Sequence, residues 1–127
     1  MNVLLIEPDR LLVQTYAQAL ERDGHVVVVV GTAQAAIHAA DERKPELVIL
    51  EMQLVSHSGV EFLYEFRSYD DWQAIPVVVL SQVPPGEFID SWGLLQGELG
   101  VKKYLYKPRT KLEKLLRTIG EFEQVKA

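Results

Sequence analysis

The sequence predicts an α/β protein in which helices cover both faces of one open parallel sheet. Four short apolar runs support this prediction because they are continuous rather than alternating, as strands buried on both faces are. Segments with helical periodicity separate the runs, so that five βα units alternate and give a doubly wound sheet with right-handed crossovers. The apolar runs cover residues 3–6, 26–30, 47–50 and 77–80, and a weaker fifth run covers 101–106.

The first two helical segments have clear start and stop signals. Leu12 and Leu20 share the apolar face of the first segment, and Gly24 stands where a left-handed C-terminal cap is expected. Thr32 is the predicted N-cap of the second segment. The fourth segment is the weakest prediction, because its apolar face is ragged and is interrupted by glycines at positions 93 and 97.

Two capping-box patterns predict where the third and the last helix begin. Ser58 is followed three residues later by Glu61, and Thr110 is followed three residues later by Glu113. In such a pair the hydroxyl and the carboxylate satisfy each other's backbone N–H groups in the first turn. We therefore expect a helix to start directly after each of the two hydroxyl residues.

Composition limits the classes of protein that this chain can represent. Its 127 residues form one predicted domain, 1–127, and the apolar and charged fractions of 48% and 24% are those of an ordinary globular protein. A formal net charge of -5 disfavours direct nucleic-acid binding. The absence of cysteine excludes disulfides, thiol nucleophiles and thiolate metal sites. No signal peptide or membrane-spanning run is present in the sequence, so a cytoplasmic location without membrane contact is expected.

Polar and charged residues follow the apolar runs, where each predicted strand ends. Because the carboxyl ends of parallel strands meet at one edge of the sheet, these side chains are expected to converge near the topological switch point. The converging residues are Glu7 and Asp9 after the first run, Glu51 and Gln53 after the third, Ser81 after the fourth and Lys107 after the fifth.

Taken in order along the whole chain, these motifs resemble the receiver domain of the response-regulator family, whose fold is CheY-like. The motifs are Ile6-Glu7-Pro8-Asp9, Glu51 at the end of the third run, Gly59, Pro76 to Ser81, and Tyr104-Leu105-Tyr106-Lys107-Pro108. The resemblance implies a flavodoxin-like (βα)5 fold with strand order 2-1-3-4-5.

The resemblance also implies roles for individual residues. In the family an aspartate at the position of Glu51 accepts the phosphoryl group, and Ser81 and Lys107 match the residues that bind the phosphoryl oxygens. Tyr104 matches the aromatic residue whose inward movement reports phosphorylation. Pro108 is implied to follow a cis peptide bond. Glu7, Asp9, Glu51 and Gln53 form the implied acidic pocket, for which weakly bound Mg²⁺ is the only cofactor candidate, since hard cations prefer oxygen ligands.

Two departures from the family pattern affect the expected chemistry. Glu51 replaces the acceptor aspartate, and its additional methylene displaces the carboxylate by about 1.5 Å. A misplacement of about 1 Å can slow a reaction about a hundredfold when catalysis depends on positioning. Pro8 replaces the second acid of the first-strand pair. We therefore expect a pseudo-receiver that is not phosphorylated in the usual way, in which Glu51 partly imitates a phosphoaspartate towards Lys107.

Several residues also have structural explanations that the sequence leaves open. Asp9 is expected more strongly as the N-cap of the first helix than as a metal ligand. Glu7 and Lys107 can form an ion pair without binding a metal. Tyr104 can be a packed side chain rather than a switch.

Other functions remain as alternatives at this point. One is a receiver that retains weak Mg²⁺-dependent phosphoryl acceptance. A more distant one is a Mg²⁺-dependent phosphoryl-transfer or Toprim-like enzyme, which Glu7 fits but Glu51-Met52-Gln53 does not, because the second acid of the required pair is missing. The favoured prediction is a non-enzymatic interaction module.

The expected partners follow from the resemblance. They are signalling proteins, either a histidine kinase or a separate effector, docking on the face formed by the fourth helix, the fifth strand and the fifth helix. A homodimer through the same face is compatible with the sequence, although nothing in the sequence requires it.

Overall fold

The computed structural model describes residues 1–126, with side chains through residue 123, and it contains one five-stranded sheet. All strand pairs are parallel, and the strand order is β2-β1-β3-β4-β5, which confirms the predicted topology. The strands are β1 Asn2–Ile6, β2 Val26–Val30, β3 Leu47–Leu50, β4 Val77–Ser81 and β5 Val101–Tyr106. The chain order reverses between β1 and β3, so the switch point of the sheet lies where these two strands end.

Five α-helices connect and cover the strands in the described part of the chain. They are α1 Arg10–Arg22, α2 Ala33–Glu42, α3 Gly59–Arg67, α4 Trp92–Gln96 and α5 Leu112–Lys126. Short 3₁₀ turns lie at Asp70–Trp72, Pro85–Ser91 and Lys107–Arg109. None of the helices within residues 1–126 has both the length and the apolar character needed to span a membrane.

The core has two layers, one on each face of the sheet, because successive strand residues point to opposite faces. On one face the strands pack against α2 and α3, where Phe62 and Phe66 are buried. On the other face they pack against α1 and α5, where Leu20, Leu115 and Ile119 are buried. The alternation explains why the central strands are continuous apolar runs in the sequence.

Three predicted helix boundaries are confirmed. Thr32 caps α2 by accepting from the backbone N–H of Ala35, and the Ser58–Glu61 capping box at α3 is complete in both directions. Gly24 ends α1 with φ of 92°, a left-handed conformation that glycine adopts at no steric cost.

The predicted capping box at Thr110 is wrong. Helix α5 begins at Leu112, and its first backbone bonds return to the carbonyl of Lys111. The Thr110 hydroxyl instead donates to the carbonyl of Tyr106 at 2.7 Å. The hydroxyl therefore bonds back to the end of β5 across the 3₁₀ turn Lys107–Arg109, and the helix starts later than the pattern predicts.

Strand β2 is less buried than its apolar run predicts. Val26 and Val29 are each 47% exposed, whereas every residue of β3 and β4 is buried. The reason is the position of β2 at the edge of the sheet, where helices cover it incompletely.

The segment between β4 and β5 is only partly α-helical. A 3₁₀ turn covers Pro85–Ser91, and α4 then continues for five residues before Gly97. The ragged apolar pattern of this segment is consistent with so short a helix. The face formed by α4, β5 and α5 is therefore built around a small α4, next to the exposed lysines Lys102 and Lys103 of β5.

Candidate functional site at the carboxyl edge of the sheet

Four of the predicted site residues meet at the carboxyl edge of the sheet. Glu7 directly follows β1, Glu51 directly follows β3, Ser81 is the last residue of β4 and Lys107 directly follows β5. The parallel sheet brings these positions together, and neighbouring members contact one another. Glu7, Glu51 and Ser81 are all buried.

Lys107 lies between the two carboxylates. Its Nζ is 2.5 Å from Glu7 Oε1 and 2.7 Å from Glu51 Oε1. The three side chains are only 3–7% exposed, so water screens these contacts poorly. The predicted ion pair between Glu7 and Lys107 is confirmed, and Glu51 extends it to a triad.

The carboxylate of Glu51 accepts four hydrogen bonds. Its Oε1 accepts from the Lys107 ammonium and, at 3.1 Å, from the backbone N–H of Gln82. Its Oε2 accepts from the Ser81 hydroxyl and, at 3.0 Å, from the backbone N–H of Gln53. A carboxylate has about four acceptor positions, so this one is fully used.

The electrostatics of the triad favour the ionised forms of Glu51 and Lys107. Burial acts to raise the pKa of Glu51, but the hydrogen bonds from Lys107, Ser81 and the two backbone N–H groups outweigh it, and the pKa is lowered. Burial acts to lower the pKa of Lys107, but Glu51 and Glu7 outweigh it, and the pKa is raised. At neutral pH the contact is therefore a charged pair.

A chain of hydrogen bonds connects Glu51 to Tyr104. The Ser81 hydroxyl, which donates to Glu51, also accepts from the backbone N–H of Val83 at 3.0 Å. The carbonyl of Val83 accepts from the Tyr104 hydroxyl at 2.6 Å. Burial raises the pKa of Tyr104 to about 12.

The Tyr104 ring is packed as well as hydrogen-bonded. Its centroid lies 5.9 Å from that of Phe88 and 6.2 Å from that of Trp92, which are ordinary distances for interacting aromatic pairs. Both neighbours belong to the segment between β4 and β5. Tyr104 thus connects the site to the face formed by α4, β5 and α5.

Asp9 and Gln53 lie beside this cluster rather than within it. Asp9 is the N-cap of α1, as predicted, since its Oδ1 accepts from the N–H groups of Leu11 and Leu12 at 2.9 and 3.0 Å. The side chain of Gln53 is exposed and lines a groove of about 580 Å³ between the loops after β3 and β4.

The residues of this edge do not fit a Mg²⁺ site in the arrangement that the structure shows. Mg²⁺ needs open oxygen ligands in a near-octahedral arrangement. All four acceptor positions of Glu51 are occupied, and the Lys107 ammonium lies where a cation shared by Glu7 and Glu51 would lie. Within residues 1–126, no group of three or more histidine, aspartate or glutamate side chains is arranged to hold a metal.

The expected cis peptide bond before Pro108 is absent, because that bond is trans, as are all others in the described chain. Pro108 is the second residue of the 3₁₀ turn Lys107–Arg109, which closes with a bond from the Thr110 N–H to the Lys107 carbonyl at 3.1 Å. The fixed φ of proline suits this position of a tight turn with an ordinary trans bond.

The loop after β3 depends on Gly59. A Cβ at this position would lie 2.8 Å from both the Cα and the Sδ of Met52, the residue that follows Glu51. The Gly59 N–H also donates to the Met52 carbonyl at 2.7 Å. Glycine therefore allows α3 to start in contact with the strand end that carries Glu51.

Sequence reasoning missed the backbone groups that complete the site. Gln82 donates through its N–H, and Val83 acts through its N–H and its carbonyl, so side-chain chemistry gave no signal for either. Burial raises the pKa of Tyr16, with smaller effects in opposite directions from the charges of Lys107 and Glu7.

A larger cavity, of about 780 Å³, lies away from this site. Its lining includes Pro45, Ile75, Pro76 and Phe122, near the amino-terminal ends of the strands, and contains none of the predicted site residues. Cavity size alone would therefore have indicated the wrong edge of the sheet.

Comparison with known families decides the identity of the domain. Residues 3–119 match the family model described as the response regulator receiver domain. The chain belongs to this family. Receiver domains are generally signalling modules rather than enzymes, and they interact with histidine kinases and effectors.

Individual relatives agree with the family assignment. The KDP operon transcriptional regulatory protein KdpE of Escherichia coli is 36% identical over 107 residues, which cover 84% of this receiver domain and 44% of KdpE. The polar-differentiation response regulator DivK of Brucella anthropi is 24% identical, with 84% of each chain covered. The chain spans about half or less of the length of most of the first curated relatives it matches.

Solved structures support the fold. The chemotaxis response regulator CheY4 of Vibrio cholerae superimposes with a TM-score of 0.82 at 20% identity, and the match covers 95% of this receiver domain and 97% of CheY4. A sensor protein from Polaromonas sp. JS666 gives a TM-score of 0.84, also at 20% identity, with 99% and 98% covered. The predicted CheY-like, flavodoxin-like fold is confirmed.

Proposed function

We propose that this receiver domain is a pseudo-receiver, a protein-interaction module that works without being phosphorylated. The observation that carries the proposal is the contact of the Glu51 carboxylate with both the Ser81 hydroxyl and the Lys107 ammonium. In the family these two positions bind the oxygens of the phosphorylated aspartate. Glu51 stands at the acceptor position and supplies its own oxygens to the same two donors.

Glu51 imitates a phosphoaspartate only in part. It carries one negative charge, whereas a phosphoryl group carries about 1.5 to 2 at neutral pH. The Glu51 carboxylate is nevertheless held by four donors in a buried pocket. The carboxylate is also poorly suited to accept a phosphoryl group, because its oxygens are already hydrogen-bonded.

The state we propose is the one in which Tyr104 is turned inward. The hydrogen-bonded chain from Glu51 through Ser81 and Val83 ends at the Tyr104 hydroxyl. Family resemblance connects an inward aromatic residue here with the signalling state. Glu51 thereby keeps the face formed by α4, β5 and α5 in a single conformation.

The proposed partners are a histidine kinase or a separate effector in the cytoplasm, docking on that face, and a second copy of the chain is a further candidate. Lys102 and Lys103 of β5 are exposed, and no salt bridge within the described residues engages them. An acidic partner surface therefore complements this edge better than a second copy would, since two copies would bring four lysines together.

Phosphorylation by a small phosphodonor tests the proposal. The wild-type domain and Glu51→Asp are incubated with Mg²⁺ and acetyl phosphate, and intact mass spectrometry measures the fraction that carries a phosphoryl group. We expect no phosphorylated fraction in the wild type. A phosphorylated wild-type fraction that forms with Mg²⁺ and is absent in Glu51→Gln would favour the alternative of weak phosphoryl acceptance. It would contradict the pseudo-receiver proposal.

A further inference from the structure

The cavity of about 780 Å³ near the amino-terminal ends of the strands has the size and lining of a ligand site. Ligand pockets in proteins are mostly about 300 to 1,000 Å³ and combine apolar walls with a few polar groups. We propose that this cavity binds a small amphiphilic anion, whose apolar body lies against the prolines and Phe122 and whose charged group lies at Lys102 and Lys103. The binding does not depend on the proposed function, although the two lysines also belong to the surface proposed for an acidic partner.

The apolar walls of the cavity come from the segments that lead into the central strands and from α5. Pro45 lies shortly before β3, and Ile75 and Pro76 lie directly before β4. Proline has no N–H, and the carbonyl of Pro76 already accepts from the N–H of Val48 at 3.1 Å. Phe122 of α5 is half-buried and completes the apolar lining. An apolar ligand body therefore gains free energy by leaving water at these walls.

An irregularity of β5 brings two adjacent lysines to the cavity. Val77 pairs with Val101 and Val78 pairs with Lys103, so Lys102 is an extra residue without an opposite partner on β4. Neighbouring side chains of a regular strand point to opposite faces, but here both Lys102 and Lys103 line the same cavity. Neither lysine forms a salt bridge among the side chains described through residue 123. Two adjacent positive charges at one wall favour an anionic group there.

The other charged residues of the lining are dispersed over separate elements. The acids are Glu46 directly before β3, Asp71 in a 3₁₀ turn and Glu121 on α5, and Lys44 is a third lysine. Glu46 already accepts a hydrogen bond from the N–H of Asn2 at 2.8 Å. The lining is therefore formally neutral, and its one concentration of like charge is the lysine pair of β5. That pair is the expected position of the charged group of the ligand.

Amide NMR titrations of the wild-type domain with octanoate, octanol and octylammonium test the inference. The three probes share one apolar chain and differ in the charge of the headgroup. We expect saturable octanoate shifts at Ile75, Lys102, Lys103 and Phe122, with a Kd of about 1 mM, the affinity of a ligand of about ten non-hydrogen atoms at ordinary efficiency. Octanol and octylammonium should bind about fivefold more weakly or worse, because they lack the contact of an anion with the lysine pair.

Three variants make the result specific to the cavity. Ala74 is an exposed residue of the lining, and Ala74→Trp should abolish octanoate binding by filling the cavity. The double variant Lys102→Gln/Lys103→Gln should weaken octanoate binding about fivefold and leave octanol binding unchanged. Lys111→Gln/Lys114→Gln is the matched control, because it removes two exposed lysines outside the lining and changes the net charge equally. It should bind octanoate as the wild type does.

Three results would overturn the inference. One is a wild-type spectrum without saturable octanoate shifts at the lining residues, a measurement that does not depend on any variant folding. Another is octanol or octylammonium binding as tightly as octanoate, because the lysine pair then does not recognise an anion. The third is equal octanoate affinity in Lys102→Gln/Lys103→Gln and in the control variant. None of these results affects the phosphorylation assay, which is read by mass.

Discussion

Replacing Glu51 by glutamine removes the charge of the central carboxylate and keeps its size. Glutamine has one oxygen and one NH₂ group where glutamate has two oxygens. If the NH₂ group takes the Oε1 position, it faces the donors of Lys107 and Gln82. If it takes the Oε2 position, it faces Ser81 and the N–H of Gln53. Either orientation leaves at least one buried donor without an acceptor.

The expected cost can be worked out from these contacts. A buried polar group without a partner costs about 1 to 3 kcal/mol, and a hydrogen bond to a charged group contributes about 1.5 to 3 kcal/mol. Lys107 keeps Glu7 as its partner, so the larger penalty for isolating a buried charge does not apply in full. We expect the free energy of unfolding to fall by about 2 to 4 kcal/mol, a large part of the about 5 to 15 kcal/mol typical of a domain.

Urea denaturation followed by circular dichroism measures this change. With a slope of about 2 kcal/mol per molar urea, the midpoint should fall by about 1 to 2 M at an unchanged slope. Glu98→Gln is the matched control, because Glu98 is exposed, and it should stay within about 0.5 kcal/mol of the wild type. If Glu51→Gln is as stable as Glu98→Gln, the reasoning about the four donors is refuted.

Three further predictions concern the same region. Folding lowers the pKa of Glu51, so its stabilising contribution is complete above the unfolded pKa of 4.5 and is lost as the pH falls through the folded pKa. The free energy of unfolding should therefore depend less on pH in Glu51→Gln under acid conditions. Identical slopes of unfolding free energy against pH in the two proteins would contradict this. Gly59→Ala should lower stability by about 1 to 3 kcal/mol in thermal unfolding, because its Cβ collides with Met52, and a neutral result would show that the loop adjusts freely. Ser81→Ala removes the hydroxyl between Glu51 and Val83, and it should alter the near-ultraviolet circular dichroism of Tyr104. An unchanged spectrum would argue against a hydrogen-bonded connection between Glu51 and Tyr104.

The sequence predicted the fold well because buried strands that alternate with helices are compatible with few sheet topologies. Continuous apolar runs at β3 and β4 correspond to strands buried on both faces. The same reasoning overestimated the burial of β2, because an apolar run does not reveal whether a strand lies in the centre or at the edge of a sheet. The Thr110 pattern failed for a different reason, since the Thr110 hydroxyl donates to the carbonyl of Tyr106 instead of capping the helix.

The sequence indicated which residues meet at the site, but it did not indicate how they contact one another. The strand ends indicated Glu7, Glu51, Ser81 and Lys107, because parallel strands bring their carboxyl ends together. The sequence did not reveal that Lys107 would bridge both carboxylates, since that depends on distances of a few tenths of an ångström. Backbone donors such as the N–H of Gln82 cannot be recognised from residue type at all.

The central claim is that Glu51 already engages the two donors that would otherwise bind a phosphoryl group. Amide NMR spectra of the wild type and of Glu51→Asp, recorded with and without Mg²⁺ and beryllofluoride, test it most directly. We expect an unchanged wild-type spectrum, because Ser81 and Lys107 are already bound to Glu51. A response in Glu51→Asp alone would trace the difference to one methylene group. Beryllofluoride-dependent shifts at Ser81, Tyr104 and Lys107 in the wild type would show that the pocket is still open to a phosphoryl mimic, and they would contradict the account.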